Sequence, residues 1–186
     1  MAAAAEVVSE RGYRQVSVAD IVKRAATARS RFYENFSSKE DCFFALYDEA
    51  AEGALKAVAD ACGQAPGAFP ERVRAGIAAL LEFIEADRVR ASACVVEGPA
   101  VGPPITERFE RLISDFAALL RGGREGDEAD ELPATVEETV VGGLYWLLYY
   151  ALMEERPKRL KSMRGQLAEF SLIPFVGAEA ARTNAV

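Results

Sequence analysis

Apolar side chains return every three or four positions along most of this chain, and no stretch alternates apolar and polar residues with β-branched enrichment. That pattern predicts an all-α fold. The steadiest run starts at Lys39: Phe43, Leu46, Tyr47, Ala50, Ala54, Leu55, Val58 and Ala61 share one face and predict a single long helix to about Cys62. Residues 63–70, with two glycines and two prolines, end it. Pro70 or Glu71 then opens a helix carrying Val73, Ile77, Leu80, Leu81 and Ile84, and a shorter helix covers Val89 to Glu97. GPAVGPP at 98–104 breaks the chain before a helix from about Ile105 to Arg121. Residues 122–131, GGREGDEADE, have no apolar side chain larger than alanine and read as a solvated loop. Two final helices are predicted, Ala134 to about Glu155 and Lys158 to about Arg182, divided at Arg156-Pro157; Pro174 should kink or interrupt the second.

Ahead of the long helix the pattern is finer. Ser17 is a helix N-cap with Asp20 three residues on to reach back to its amide, and Val18, Ile21 and Val22 give the helix that ends near Ala25 an apolar face. A tight turn at Ala26-Thr27-Ala28 leads to a second short helix, Arg29 to Phe36. Phe32 and Phe36 form its inner side, while Arg29, Ser30, Arg31, Tyr33 and Asn35 spread over the remainder. Ser37 or Ser38 caps the long helix, and Lys39 in its first turn stands where ammonium and amide dipole together favour a phosphate oxygen. This is the outline of a helix-turn-helix reader of double-stranded DNA. Arg29, Ser30, Arg31 and Asn35 are its candidate base-edge or phosphate contacts, arginine bridging guanine O6 and N7 and asparagine adenine N6 and N7.

Charge changes the picture only through its distribution. A net charge of −7 over 186 residues argues against nucleic acid, yet residues 1–46 hold seven basic and six acidic side chains, and the window 11–39 holds all seven basic ones against Asp20 and Glu34. The positive patch falls on the proposed reader. An apolar content of 51% is enough for a well-filled core. The three cysteines, Cys42, Cys62 and Cys94, are odd in number and set in apolar-periodic segments, which suits buried thiols in a reducing compartment; with no signal peptide to read, a cytoplasmic protein is expected. The longest apolar run, Val140 to Met153, is too short to span a bilayer, so no membrane partner is expected.

The runs ERGY (Glu10 to Tyr13), SVADI (Ser17 to Ile21), FYENF (Phe32 to Phe36) and SKE (Ser38 to Glu40) together resemble the DNA-binding head of the tetracycline-repressor (TetR) family of transcriptional regulators, over roughly residues 2–50. The resemblance implies a three-helix head at residues 1–46, joined by a long helix to a larger helical ligand-binding and dimerisation domain at 47–186. It implies a homodimer through the last two helices, a palindromic operator, and release by a small-molecule effector. By the same resemblance Tyr33 and Lys39 hold phosphates, with Ser17 and Arg14 on the flanking backbone. Two features depart from the family pattern. Its turn usually reads Gly-Val-Ser where this chain has Ala26-Thr27-Ala28, which removes the flexible glycine and the serine cap and leaves Thr27 to cap one residue early. Its first helix usually begins a turn or two before the position of Ala4-Ala5.

The penultimate helix, with VVGGLYWLLYYALM, is apolar around its whole circumference and needs cover on every side; a second subunit would supply it, with Gly142-Gly143 letting two backbones approach. A central core helix of a monomer is the plainer account of the same residues. Phe83, Phe109, Phe116, Tyr145 and Tyr149 are the candidates to line an effector pocket, although for each one alone core packing is the plainer reading. No buried cation is evident, which leans the effector toward a neutral or cationic apolar molecule. Catalysis has little basis: without histidine, Ser-His and Cys-His pairs and histidine metal sites are excluded, the cysteines lack metal-ligand spacing, and pairs such as Glu137-Glu138 and Glu154-Glu155 read as solvated charge. Neither cofactor nor metal is expected. The leading reading is a ligand-responsive transcriptional regulator, most simply a repressor. Its rival is a helical dimeric ligand- or protein-binding module whose head has lost competent DNA reading.

Overall fold

The computed structural model describes residues 1–124, 132–133, 135–154, 160 and 162–183, and every regular element among them is helical. The first helix, α1 (Ala2–Arg11), buries Ala4, Ala5, Val7 and Val8 and stops at Gly12, whose φ of 81° turns the chain into a short 3-10 segment at Tyr13–Gln15. Helix α2 (Val18–Arg24) opens with the reciprocal cap expected of it: Ser17 Oγ accepts from the Asp20 amide and Asp20 Oδ2 accepts from the Ser17 amide at 2.9 Å. Helix α3 (Arg29–Tyr33) is shorter than the periodicity implied and anchors itself through Phe32, buried against Phe36 at a ring separation of 5.4 Å.

Helix α4 (Lys39–Gln64) runs 26 residues, about 39 Å at the usual rise per residue, and is capped by Ser38, whose Oγ accepts from the Asp41 amide at 3.0 Å. It has a foot in both ends of the molecule. Its first half packs into a cluster that includes Val8, Tyr13, Ile21 and Phe32 from the head and Ala93, Cys94 and Ile105 from beyond it. Its second half packs on α5 (Phe69–Ala86), close enough that a Cβ on Gly76 would stand 2.8 Å from Cys62 Sγ. Helix α6 (Arg88–Val95), capped by Asp87, lies against α1, and a 3-10 turn at Gly98–Val101 leads to α7 (Pro103–Gly122). A second cluster joins α5, α8 (Thr135–Met153) and α9 (Arg164–Thr183) through Ile77, Leu81, Leu148, Leu152, Leu167 and Leu172.

Three expectations need correction. Thr27 does not cap α3: the N-cap is Ala28, without a side-chain hydrogen bond, and Ala26 adopts φ 48°, the left-handed conformation that alanine avoids. The break in α9 falls at Gly177 (φ 79°, ψ 162°) rather than at Pro174, because glycine leaves helical dihedrals without a Cβ penalty. Glu137 is not solvated but fully buried beside Arg124, while its neighbour Glu138 faces out. The loop expected at 122–131 falls, from residue 125, outside the described residues, as do Arg156-Pro157, Glu155 and the start at Lys158.

Candidate functional site

Helix α3 presents Arg29, Ser30, Arg31 and Tyr33 to solvent, with Asn35 exposed just beyond its end, and Phe32 alone of its five residues is buried. Arg29 lies over the Tyr33 ring at 5.5 Å and its Nη2 donates to Tyr33 Oη at 3.3 Å, so the two side chains form one ledge. Arg31 is only loosely held, 3.8 Å from Glu34. Asn35 Nδ2 donates to the Arg31 carbonyl at 2.9 Å, which leaves its Oδ1 facing outward as an acceptor and requires that bond to open before the amide can read adenine on both sides.

The positive patch is smaller than its residue count. Arg24 spans Glu6 and Glu10, donating at 2.9 Å to each and at 2.5 Å to the second Glu10 oxygen, and Arg11 is paired with Asp20 at 3.0 Å. Lys39 turns inward: its Nζ donates to the Tyr13 and Val16 carbonyls, both at 2.9 Å, and stands 4.1 Å from the centre of the Tyr13 ring. An ammonium has three N–H groups, so one is left for a phosphate. Arg14 is exposed, with a weak 3.5 Å contact to the Ala100 carbonyl, and Ser17 is exposed at the cap of α2. Lys39 as an internal clamp was not evident from its place in the first turn of α4.

Behind the head lies a cavity of about 190 Å³ between α4, α5, α6, α7 and α8, walled almost wholly by apolar side chains. Of the five expected lining residues it brings together Phe83, Phe116 and Tyr145. Phe83 packs over Gly53 of α4, where a Cβ would meet its ring at 2.9 Å. Tyr145 Oη donates to the Val95 carbonyl at 2.8 Å, and burial pushes its pKa up to about 12. Phe109 is not on the wall but behind it, edge-on to Tyr145 at 4.6 Å, and Tyr149 lies away from it, stacked on Trp146 at 5.5 Å. The wall also includes Tyr47, which the periodicity of α4 assigned to packing. Arg72 brings a cationic side chain to it, and the nearly buried Arg124 is neutralised by Glu137, so the expected absence of cations from this region does not hold. Cys94, also on the wall, is buried with its thiol pushed up to about 12 and is unreactive for that reason.

Helix α8 remains uncovered on one side. Trp146 is 55% exposed, with Leu147, Tyr150 and Met153 open beside it and Phe170 and Ile173 of α9 open too. Gly143 serves a contact within the chain, since a Cβ there would stand 2.6 Å from the Phe170 ring, whereas Gly142 meets nothing within 4 Å. Among the described residues no helix is long and apolar enough to cross a membrane.

A short polar helix displayed on a three-helix head, with one long helix leading from that head to a hollow helical body, has the architecture of a helix-turn-helix DNA-binding regulator. Residues 1–46 match the bacterial regulatory proteins of the tetR family, which supports a TetR-family transcriptional regulator. It is 57% identical over 37 residues to YvdT of Bacillus subtilis (strain 168), an uncharacterized HTH-type transcriptional regulator; the match takes in 20% of this chain and 19% of YvdT. Its fold is similar to that of the fatty acid degradation regulator FadR from Bacillus halodurans, with a TM-score of 0.79 at 20% identity over 91% of this chain and 94% of that one. It is also similar to the transcriptional regulator FadR from Bacillus subtilis in complex with stearoyl-CoA, with a TM-score of 0.77 at 18% identity over 94% and 95% of the two chains.

Proposed function

We propose that this chain is a homodimeric, cytoplasmic repressor that binds a palindromic operator and leaves it when a small-molecule effector enters the cavity. The head, residues 1–46, reads DNA with Arg29, Ser30, Arg31 and Asn35, while Arg14, Ser17, Tyr33 and the remaining N–H of Lys39 hold the backbone. The body, residues 47–186, takes the effector against Phe83, Phe116 and Tyr145. One observation carries this reading: α4 closes the head at Lys39 and walls the cavity from Tyr47 to Cys62, so both sites act on the same rigid element. An effector that fits best when the two α4 helices are splayed moves the heads off their one-turn spacing, with a coupling no larger than its difference in affinity between the two states. The open apolar face on α8 and α9 supports pairing of two copies. An effector whose buried part is a long acyl chain suits these walls, and the FadR complex with stearoyl-CoA supports that class.

The test is fluorescence anisotropy on the duplex upstream of the protein's own gene, across a salt series, beside a scrambled duplex and with stearoyl-CoA added. Salt-sensitive, sequence-selective binding that stearoyl-CoA weakens and that Arg31→Ala with Tyr33→Ala abolishes is expected. Equal weak binding to both duplexes would overturn the regulator reading in favour of a degenerate head, a rival favoured by the strained Ala26 and the uncapped start of α3.

A further inference from the structure

Apart from Arg72, the polar side chains on the cavity wall are hydroxyls and thiols. Tyr47 lines the cavity, is only 4% exposed, and its hydroxyl has no hydrogen-bond partner among the described residues. The other hydroxyls on the wall donate to backbone: Tyr145 to the Val95 carbonyl at 2.8 Å and Ser171 to the Leu167 carbonyl at 2.7 Å. A buried hydroxyl without a partner is costly, and it is tolerated where something else completes it. Tyr145, Cys94 and Asp48 lie close enough to Tyr47 to add to the upward shift that burial gives its phenol.

We propose that Tyr47 is the specificity-determining donor of this cavity, giving its O–H to the single neutral carbonyl oxygen of a bound apolar molecule such as an ester, thioester or ketone. This rests on the reading of the cavity as the effector site and adds the chemical group that the effector presents there. A carbonyl accepts without bringing a proton of its own to be satisfied. A carboxylate would arrive desolvated beside Tyr47, and Arg90, the guanidinium that acts on Cys94, is already held by Glu49 at 2.6 Å and Asp87 at 3.1 Å. Burial keeps both phenols protonated well beyond neutrality, Tyr47 far above the ordinary tyrosine value and Tyr145 at about 12. Tyr47 sits on α4, so the same bond that selects the ligand loads the helix that carries the head.

Displacement of Nile red by methyl dodecanoate and by dodecane, on the full chain and on Tyr47→Phe, tests this. The ester should bind the native chain about tenfold more tightly than the variant, with the alkane equal on both. The carbonyl stretch of the bound, isotope-labelled ester should lie at lower frequency in the native chain than in Tyr47→Phe. Without ligand, Tyr47→Phe should melt no lower than the native protein, since it removes only an unpartnered group. Equal affinity of the ester for both proteins, an equal loss for ester and alkane, or a lowered melting temperature of the empty variant would each overturn the role of Tyr47. If neither probe displaces the dye from the native chain, the cavity reading itself fails and the proposal with it.

Discussion

The Glu97 carboxylate accepts the backbone amide of Tyr13 at 2.9 Å, joining the turn after α6 to the turn after α1 across 84 positions of sequence. Gly12 makes room for it: its φ is 81°, and a Cβ there would stand 3.3 Å from Glu97 Oε2. The carbonyl of the same Tyr13 accepts from Lys39 at the start of α4. Two residues before Glu97, Val95 accepts from Tyr145 on the cavity wall. Head, α6 and cavity are therefore connected by a few directional bonds as well as by α4.

Removing the carboxylate should expose how much this junction holds. Glu97→Ala leaves the Tyr13 amide without its acceptor and should cost about 1–3 kcal/mol in urea unfolding, whereas Glu97→Gln keeps an acceptor oxygen and should recover most of it. Equal losses in the two variants would mean that packing of the longer side chain, not the hydrogen bond, is what matters.

The turn between α2 and α3 should be open to improvement. Ala26 at φ 48° carries a left-handed penalty that glycine does not, so Ala26→Gly should stabilise the protein by about 1 kcal/mol. Ala28→Ser supplies the missing cap and should add about 1 kcal/mol more. Each should raise the melting temperature by roughly 2–4 °C in a chain of this size. No gain from Ala26→Gly would show that the strain is relieved in solution.

These two alanines also mark where sequence and structure part. The period of Phe43, Leu46, Ala50 and Val58 is enough to predict α4, and the spacing of Ser17 and Asp20 is enough to predict the cap of α2, because both depend on local geometry alone. Which side chain of an inward face meets packing and which meets open space depends on how five helices converge, so Tyr47 read as core while Tyr149 read as lining. Lys39 and Glu137 were misplaced for a related reason: charge implies solvent unless a partner distant in sequence is known, and their partners are Tyr13, Val16 and Arg124. Phe32 was placed correctly because aromatic side chains on the inner face of so short a helix have only the head to pack on.

Stability and DNA affinity should separate within the head. Lys39→Met removes an ammonium that clamps two carbonyls, and should lower both stability, by about 2–3 kcal/mol, and operator binding. Arg31→Ala touches only a loose surface pair, so it should leave the melting temperature within error while lowering affinity and flattening the salt slope by about one counterion. A stable but non-binding Lys39→Met would reverse the assignment and make that lysine chiefly a phosphate contact.

Alkali should unfold the body through groups that burial holds protonated. Tyr145 and Cys94 are each pushed up to about 12, and Tyr47 is raised further. The unfolded chain gives up these protons at the ordinary thiol and tyrosine values while the native chain keeps them, so the native state binds more protons and stability falls as pH rises toward 12. Below the ordinary thiol value the contribution is fully present. Phenolate absorbance should therefore appear together with loss of helix in circular dichroism rather than ahead of it; phenolate formation in a still-helical protein would mean that the buried phenols are reached without unfolding.

The uncovered side of α8 gives the sharpest test of assembly. Trp146, Tyr150 and Met153 lie open on α8 and Ile173 on α9, a run of large apolar side chains that water solvates poorly and that a single copy leaves bare. If two copies meet there, the patch is self-complementary about a two-fold axis, and each substitution is felt twice in one interface. Tyr150→Lys with Ile173→Lys puts four like charges into that contact and should convert a dimer to a monomer in sedimentation velocity. The melting temperature at low protein concentration should be little changed, because both residues are already exposed in the isolated fold. Operator affinity should fall steeply in the same variant, since two heads held one DNA turn apart bind far more tightly than one. A variant that remains dimeric places the interface elsewhere, and one that becomes monomeric yet binds the operator undiminished removes the need for paired heads.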